Sequence, residues 1–280
     1  MTTALDLGAA AVELCQKRGF EFCGDLGKGA FKSAYLAKKG TTPFALKLAA
    51  VTSSPERMIR EAEALQDCSH PSIATLFETF LYAYGTVPLW VVCEEFLAGG
   101  TLEAKLKCDP PTATALRRIA IALAEVLAHL NDKKLVHRDI KPANIMFRAD
   151  GAPVLTDFGI VRMLDEPTLT QTFLNMGPGT PAYAAPEQLT NDKTLIDWRT
   201  DQFGLAIVLA ECLLGHHPFV ESGKTIHDAI MSVAGRQEMP VANARRLVNV
   251  GFGCLNKALM PWPIARYRRP SEFIESLKQF

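Results

Sequence analysis

A chain of 280 residues, 48% apolar and 21% charged, has enough material for one large core or two modest ones and reads as ordinary globular protein. Lys plus Arg and Asp plus Glu both total 30, so this neutral chain gives no support to a nucleic acid or an anionic membrane as partner. Its 7 cysteines are scattered, with no Cys-x-x-Cys pair and no zinc-type spacing to histidine, which fits a reducing cytosol and free, mostly buried thiols.

Residues 1–19 read as an N-terminal helical extension of unassigned role, with Thr3 and Asp6 as a capping box and Gly19 as its stop. Their order lacks the basic-then-apolar pattern of a signal peptide. Residues 20–96 form a strand-rich unit, with "FEFCGDL", "SAYLA", "PFALKLA", "ATLFETF" and "LWVVCEEF" as short strands and "PERMIREAEALQ" as one helix. Residues 97–280 are mainly helical, with apolar residues at helical spacing in "ALRRIAIALAEVLAHL", "DQFGLAIVLAECLL", "RRLVNVGFGCLNKAL" and "SEFIESLKQF". The longest apolar run, Phe203 to Leu214, is interrupted by Glu211 and is shorter than the ~20 residues of a bilayer span, so it reads as a buried helix. Two unlike lobes joined through "FLAGG" are expected, with a ligand in the crevice between them.

The polar landmarks fall into this frame in order. "LGKGAFKSAY" lies between two strands, where glycines let backbone N–H groups approach an anion such as a triphosphate, although a glycine-containing hairpin turn looks the same. "FALK" sets Lys47 in an apolar strand, either as a snorkelling edge residue or as the partner of Glu61 or Glu63 on the following helix. "VHRDIKPAN" gathers His137, Arg138, Asp139, Lys141 and Asn144 on a loop between a long helix and a short strand, "NIMF". "LTDFG" adds Asp157 after another short strand. Two carboxylates and an amide within reach of each other suit Mg²⁺, a hard ion that takes oxygen ligands and shares them with substrate phosphates.

Taken together, "GKGAFK", "FALK", Glu61, "HRDIKPAN", "DFG", "GTPAYAAPE" and "DQFGLAIVLAECLLGHHPF" resemble the protein kinase fold, most closely the bacterial Hanks-type Ser/Thr kinases, from about residue 20 to 280. The resemblance implies an α+β bilobal fold with a small β-rich lobe and a larger helical one. It implies a nucleotide-binding set of Gly27, Lys28, Gly29, Lys32, Ala34, Ala45, Lys47, Glu61, Glu95 and Leu97. Lys47 would hold the α- and β-phosphates and pair with Glu61. Asp157 and Asn144 would hold Mg²⁺, with Mn²⁺ as an alternative. Asp139 would orient the acceptor hydroxyl and take its proton, and Lys141 would neutralise charge on the γ-phosphoryl group. Lys141 with Thr180 points to an aliphatic Ser or Thr acceptor on a protein substrate. His137 and Phe158 would join Leu65 and Leu76 in an apolar column. Asp201 would accept hydrogen bonds from the catalytic-loop backbone, a helix N-cap being the other reading. Glu187 would pair with Arg266, or with Arg268 if the register shifts.

Thr168, Thr170 and Thr172 are the phosphorylation candidates, Thr170 or Thr172 foremost, with Arg57, Arg138 and Arg162 as a cationic pocket for the phosphate. Trans-autophosphorylation would pass through a transient dimer. Three positions depart from the family pattern: Lys32 replaces the third glycine, Ala34 replaces a valine over adenine, and Glu94 stands at the gatekeeper position. A carboxylate at 94 would accept from the adenine amino group or compete with Glu61 for Lys47; a one-residue misalignment would leave it partly exposed. His216 and His217 read as packing residues after a helix, and the arginines at 266, 268 and 269 as structural pairing plus a solvated face. The expectation is a cytoplasmic, ATP- and Mg²⁺-dependent protein Ser/Thr kinase built as a bare catalytic domain, without nucleic-acid or membrane partners. The alternatives are a pseudokinase acting as a nucleotide-binding or scaffold module, and a small-molecule phosphotransferase, against which "GTPAYAAPE" argues.

Overall fold

Strand-forming alternation and tight turns build a five-stranded antiparallel sheet from β1 (Glu21–Lys28), β2 (Lys32–Lys39), β3 (Thr42–Ala50), β4 (Leu76–Tyr84) and β5 (Val87–Glu95), in the order β1-β2-β3-β5-β4. This computed structural model describes residues 5–28, 32–51, 68–157 and 181–279. Contacts divide the chain into two compact units, one holding these strands and the helix before them, the other holding His70–Ile73 and everything described from Gly99 onward.

Thr3, expected in a capping box with Asp6 at the start of the first helix, α1 (Leu7–Arg18), lies outside the described residues. Asp6 is the N-cap of α1, accepting from Gly8 and Ala9 N–H at 2.9 and 3.1 Å, and Gly19 closes it in the left-handed conformation at φ 68°. The described part of the expected N-terminal helical extension packs within the first unit. Ala10, Ala11, Leu14 and Cys15 of α1 are buried in one cluster with Tyr35, Ala37, Phe44, Leu46, Leu48, Leu89, Val91 and Cys93 of the sheet. Side chains alternate along a strand, so these sheet residues share one face and α1 covers it. Polar contacts seat the helix: Tyr82 Oη donates to Glu13 at 2.6 Å, and Arg18 pairs with Glu78 at 2.6 Å.

β4 begins two residues later than "ATLFETF" and runs on to Tyr84, because Ala74 and Thr75 are held outside the ladder and the β4–β5 turn comes only at Gly85, φ 58°.

The second unit is helical around a short hairpin, β6 (Ile145–Phe147) with β7 (Pro153–Leu155). Its helices are α2 (Leu102–Cys108), α3 (Ala113–Asp132), α4 (Pro186–Leu189), α5 (Trp198–Leu214), α6 (Ile226–Ala234), α7 (Val241–Asn249), α8 (Cys254–Ala258) and α9 (Pro270–Lys278). α5 is apolar all round over Phe203–Ala210 and buried along nearly all its length, as a helix at the centre of a core must be. α3 packs against α5 and α9, and Arg117 on α3 donates to the Leu277 and Gly251 carbonyls at 2.8 and 2.9 Å. The stretch read as one helix over 245–259 is two, α7 and α8, broken where Gly251 turns at φ 79° and Phe252 drops into the core. Gly99 is a packing requirement: a Cβ there would meet the Arg148 and Phe147 carbonyls at 2.5 and 2.7 Å.

Of the cysteines expected to be mostly buried, Cys15, Cys68 and Cys93 are; Cys212 and Cys254 are half-buried, Cys23 and Cys108 are exposed, and all are free thiols. Among the described residues no helix is long and apolar enough to cross a membrane.

Candidate active site

The loop between α3 and β6 brings three of its polar side chains into direct contact. Lys141 Nζ lies 3.0 Å from Asp139 Oδ2, and Asn144 Nδ2 donates to the same oxygen at 3.0 Å and to the Asp139 carbonyl at 2.8 Å. Pro142–Asn144 makes a turn of 3-10 helix, closed by Asn144 N–H on the Lys141 carbonyl at 2.9 Å, which folds residue 144 back over 139. The Asn144 amide nitrogen thus faces Asp139.

Buried anchors hold the loop. Asp201 on α5 accepts from the backbone N–H groups of His137 and Arg138, both at 2.7 Å. The cap of α5 is Asp197, not Asp201. Burial pushes the Asp201 carboxyl up to about 7, against the pull of the Arg138 and His137 N–H donors toward the ionised form. His137 joins the loop to the strand side: Nε2 meets the Thr156 carbonyl at 3.1 Å while Nδ1 accepts from Asp139 N–H at 3.2 Å, which assigns a neutral ring protonated on Nε2. Arg138 and Asp157 both sit at φ 65°, a conformation sparsely used outside glycine and maintained only where surrounding bonds over-determine it. Thr156 N–H donates to the Asn144 carbonyl at 3.0 Å, so the β6–β7 pairing brings the chain from Asn144 alongside the chain leading to Asp157.

Gln188 is a support that sequence reasoning missed. Its amide nitrogen donates to the Arg138 carbonyl at 2.8 Å and its oxygen accepts from Ala185 N–H at 3.1 Å, tying α4 to the loop. The signal was present in "APEQL", but nothing local says where Gln188 points. Glu187 beside it pairs with Arg266 through both oxygens, at 2.8 and 3.0 Å, with both side chains fully buried; Arg268 takes no part. His217 is a packing residue: Nε2 meets the Ala182 carbonyl at 2.8 Å, and burial pulls the ring down to about 4.

In the sheet unit, the register fixes a second group. Ala34 stands opposite Lys47, Lys32 opposite Ala49, and Ala45 opposite Glu94. These positions therefore share one face, the one α1 does not cover. Lys47 and Glu94 are diagonal neighbours there and form an ion pair, with side chains 13% and 11% exposed. Glu94 is thus buried, and the misaligned, partly exposed placement does not hold. Glu95 turns to the opposite face and accepts from Thr75 N–H at 3.3 Å, while Leu97 is buried. Gly27 closes the described end of the glycine-containing turn at φ 156°, a conformation that side chains rarely adopt, with open space where a Cβ would go.

Comparison with known proteins matches residues 20–260 to the family model described as the protein kinase domain. The chain belongs to the protein kinase family. The kinase chain is 32% identical over 276 residues to the serine/threonine-protein kinase PknF of Mycobacterium tuberculosis, covering 92% of this chain and 56% of that protein. It is 33% identical over 224 residues to PknB of Mycobacterium leprae, covering 77% and 34%, and 34% identical over 206 residues to AfsK of Streptomyces coelicolor, covering 71% and 25%. It thus spans from a quarter to just over half the length of these relatives.

Several residues that the kinase resemblance singles out, Gly29, Arg57, Glu61, Glu63, Leu65, Phe158, Arg162, Thr168, Thr170, Thr172 and Thr180, lie outside the described residues. Among those described, no three His, Cys, Asp or Glu side chains could hold a metal ion by themselves. A cation at Asn144 and Asp157 would therefore draw further oxygen ligands from a bound phosphate, which suits Mg²⁺.

Proposed function

We propose that this chain is an ATP-dependent protein serine/threonine kinase, and that Asp139, Lys141, Asn144 and Asp157 carry the transfer. The observation that supports it most is the Asp139–Lys141–Asn144 contact, anchored by Asp201 and Gln188. Phosphoryl transfer asks the protein mainly for positioning and charge neutralisation, and this cluster supplies both.

In this reading the acceptor hydroxyl of a protein Ser or Thr docks at the Asp139 carboxylate, which Lys141 and Asn144 hold in one orientation. The hydroxyl oxygen bonds to the γ-phosphorus of ATP as the bond to the bridging oxygen of ADP breaks, and Asp139 takes the hydroxyl proton. The Lys141 ammonium, beside that carboxylate, offsets charge on the transferred group. Asn144 and Asp157 would hold Mg²⁺, whose contribution is neutralisation of phosphate charge. Lys47 would bind the α- and β-phosphates, with Gly27, Lys28, Gly29, Lys32, Ala34, Ala45, Glu61, Glu95 and Leu97 around the nucleotide. Thr168, Thr170 and Thr172 are the proposed autophosphorylation sites, reached in a transient dimer. Free thiols throughout fit a cytoplasmic setting.

The test is incubation with γ-labelled ATP and Mg²⁺, comparing wild type with Asp139→Asn and Asp157→Ala, followed by phosphosite mapping. Label on wild type that falls at least ~10²-fold in both variants is expected. Equal labelling of wild type and Asp139→Asn would refute the assignment. The second reading, a nucleotide-binding module without transfer, draws on the engagement of Lys47 by Glu94; ATP-induced thermal stabilisation with no label in any protein would favour it.

A further inference from the structure

The ion pair between Lys47 and Glu94 has no place in the transfer chemistry, yet it occupies the ammonium assigned to the phosphates. We infer that Glu94 is an intramolecular competitor of the nucleotide's phosphates for Lys47, so that it sets ATP affinity without touching the reacting atoms. The inference rests on the kinase reading of Lys47.

Register sets the two side chains beside each other. Ala45 is opposite Glu94, and Lys47, two residues along β3, points to the same face. The Glu94 carboxylate therefore starts one diagonal step from the ammonium, within the reach of both side chains. Neighbouring sheet positions on this face include Ala34, Ala45, Ala49 and Val92, which are small or apolar, with Lys32 opposite Ala49 further along β2. Both charges are largely withdrawn from water, where salt screens them little and leaving a partner is costly.

Two consequences follow for an incoming polyphosphate. It meets a lysine whose positive charge the Glu94 carboxylate already offsets. It must also approach a carboxylate of its own sign. Adenosine carries no phosphate and is indifferent to both effects, so the contrast between ATP and adenosine isolates the competition from any general change in the pocket.

The experiment measures dissociation constants of Mg·ATP and of adenosine by calorimetry for wild type, Glu94→Gln, Lys47→Met and the Lys47→Met/Glu94→Gln double variant. Glu94→Gln is expected to bind ATP about ten-fold more tightly, the factor that corresponds to about 1.4 kcal/mol, with adenosine changed less than about two-fold. In the Lys47→Met background the same substitution is expected to change ATP binding less than about two-fold, because the competition has lost its object. Unchanged or weaker ATP binding by Glu94→Gln overturns the inference. So does parallel weakening of ATP and adenosine, which would make Glu94 a reader of the adenine ring. If Glu94→Gln fails to fold, Glu94→Asp keeps the charge but draws it back by one methylene, and a gain confined to ATP supports the inference while none overturns it. Absence of ATP binding in every protein removes the kinase reading along with this inference, whereas wild-type binding that Glu94→Gln leaves unchanged removes this inference alone.

Discussion

Replacing Arg266 with lysine keeps the charge and discards the geometry. All five guanidinium N–H donors have acceptors: Nε on the Met260 carbonyl at 2.8 Å, Nη1 on Glu187 Oε1 and the Arg199 carbonyl at 2.8 and 2.9 Å, and Nη2 on Glu187 Oε2 and the Pro261 carbonyl at 3.0 and 3.1 Å. Lysine has three donors on one nitrogen, so at least two buried acceptors lose their partner. At roughly 1–3 kcal/mol for each unsatisfied group, Arg266→Lys is expected to cost about 2–6 kcal/mol. Arg266→Met goes further and leaves Glu187 buried with Thr200 Oγ1, at 2.9 Å, as its remaining side-chain donor, which should cost at least about 3–5 kcal/mol. The Arg266→Met/Glu187→Met pair removes both charges and should recover much of that loss. Urea unfolding followed by circular dichroism reads these differences as shifts in midpoint. Arg266→Lys within about 0.5 kcal/mol of wild type, a typical surface effect, would refute the view that directional satisfaction of the buried acceptors, and not charge alone, holds this joint.

Acid should weaken the fold through His217, whose pKa is pulled down to about 4 by burial. A depressed pKa gives stability that is fully present above the ordinary histidine value near 6.5 and is lost as pH falls toward 4. Roughly 2 kcal/mol should be gone by about pH 5. Because Asp201, pushed up to about 7, gains stability over the same range and works against this loss in both proteins, melting temperatures from pH 8 to 5 should fall more steeply, or rise less, in wild type than in His217→Gln; parallel curves would sink the assignment. Gln202 on α5 is fully buried with both amide atoms unpartnered among the described residues, so Gln202→Leu is expected to stabilise the protein by about 1–3 kcal/mol, read by the same urea titration, and a lower midpoint would contradict it.

The contacts of the loop around Asp139 were legible because they are local. Asp139, Lys141 and Asn144 lie within a few residues of one another, and a loop that turns between Pro142 and Asn144 has little choice but to bring their side chains together. The strands and the buried helix α5 were legible for a related reason: alternation and unbroken apolar runs are properties of a short window. Helices α2 and α6 were missed, being short and marked chiefly by their threonine caps, Thr101 and Thr225. The long apolar pattern over α7 and α8 was overread, since periodicity continues across Gly251 while the backbone does not.

Sequence by itself determined which polar side chains are gathered within short loops and in what local order; the tertiary structure decided which distant groups support or oppose them. Asp201 reaches the loop backbone across 64 positions of sequence, and its neighbour Asp197 has an equally good claim to the helix cap until the fold is known. α1 is an amphiphilic segment of no evident purpose until the sheet presents the apolar face it covers. Glu94 is the sharpest case, because β-strand side chains alternate and a slip of one residue would carry its carboxylate to the opposite face, away from Lys47. No local pattern encodes that register. It is set by the ladder of β3 on β5, which must keep Leu46, Leu48, Val91 and Cys93 together under α1, and burying that apolar face places the charge on the other.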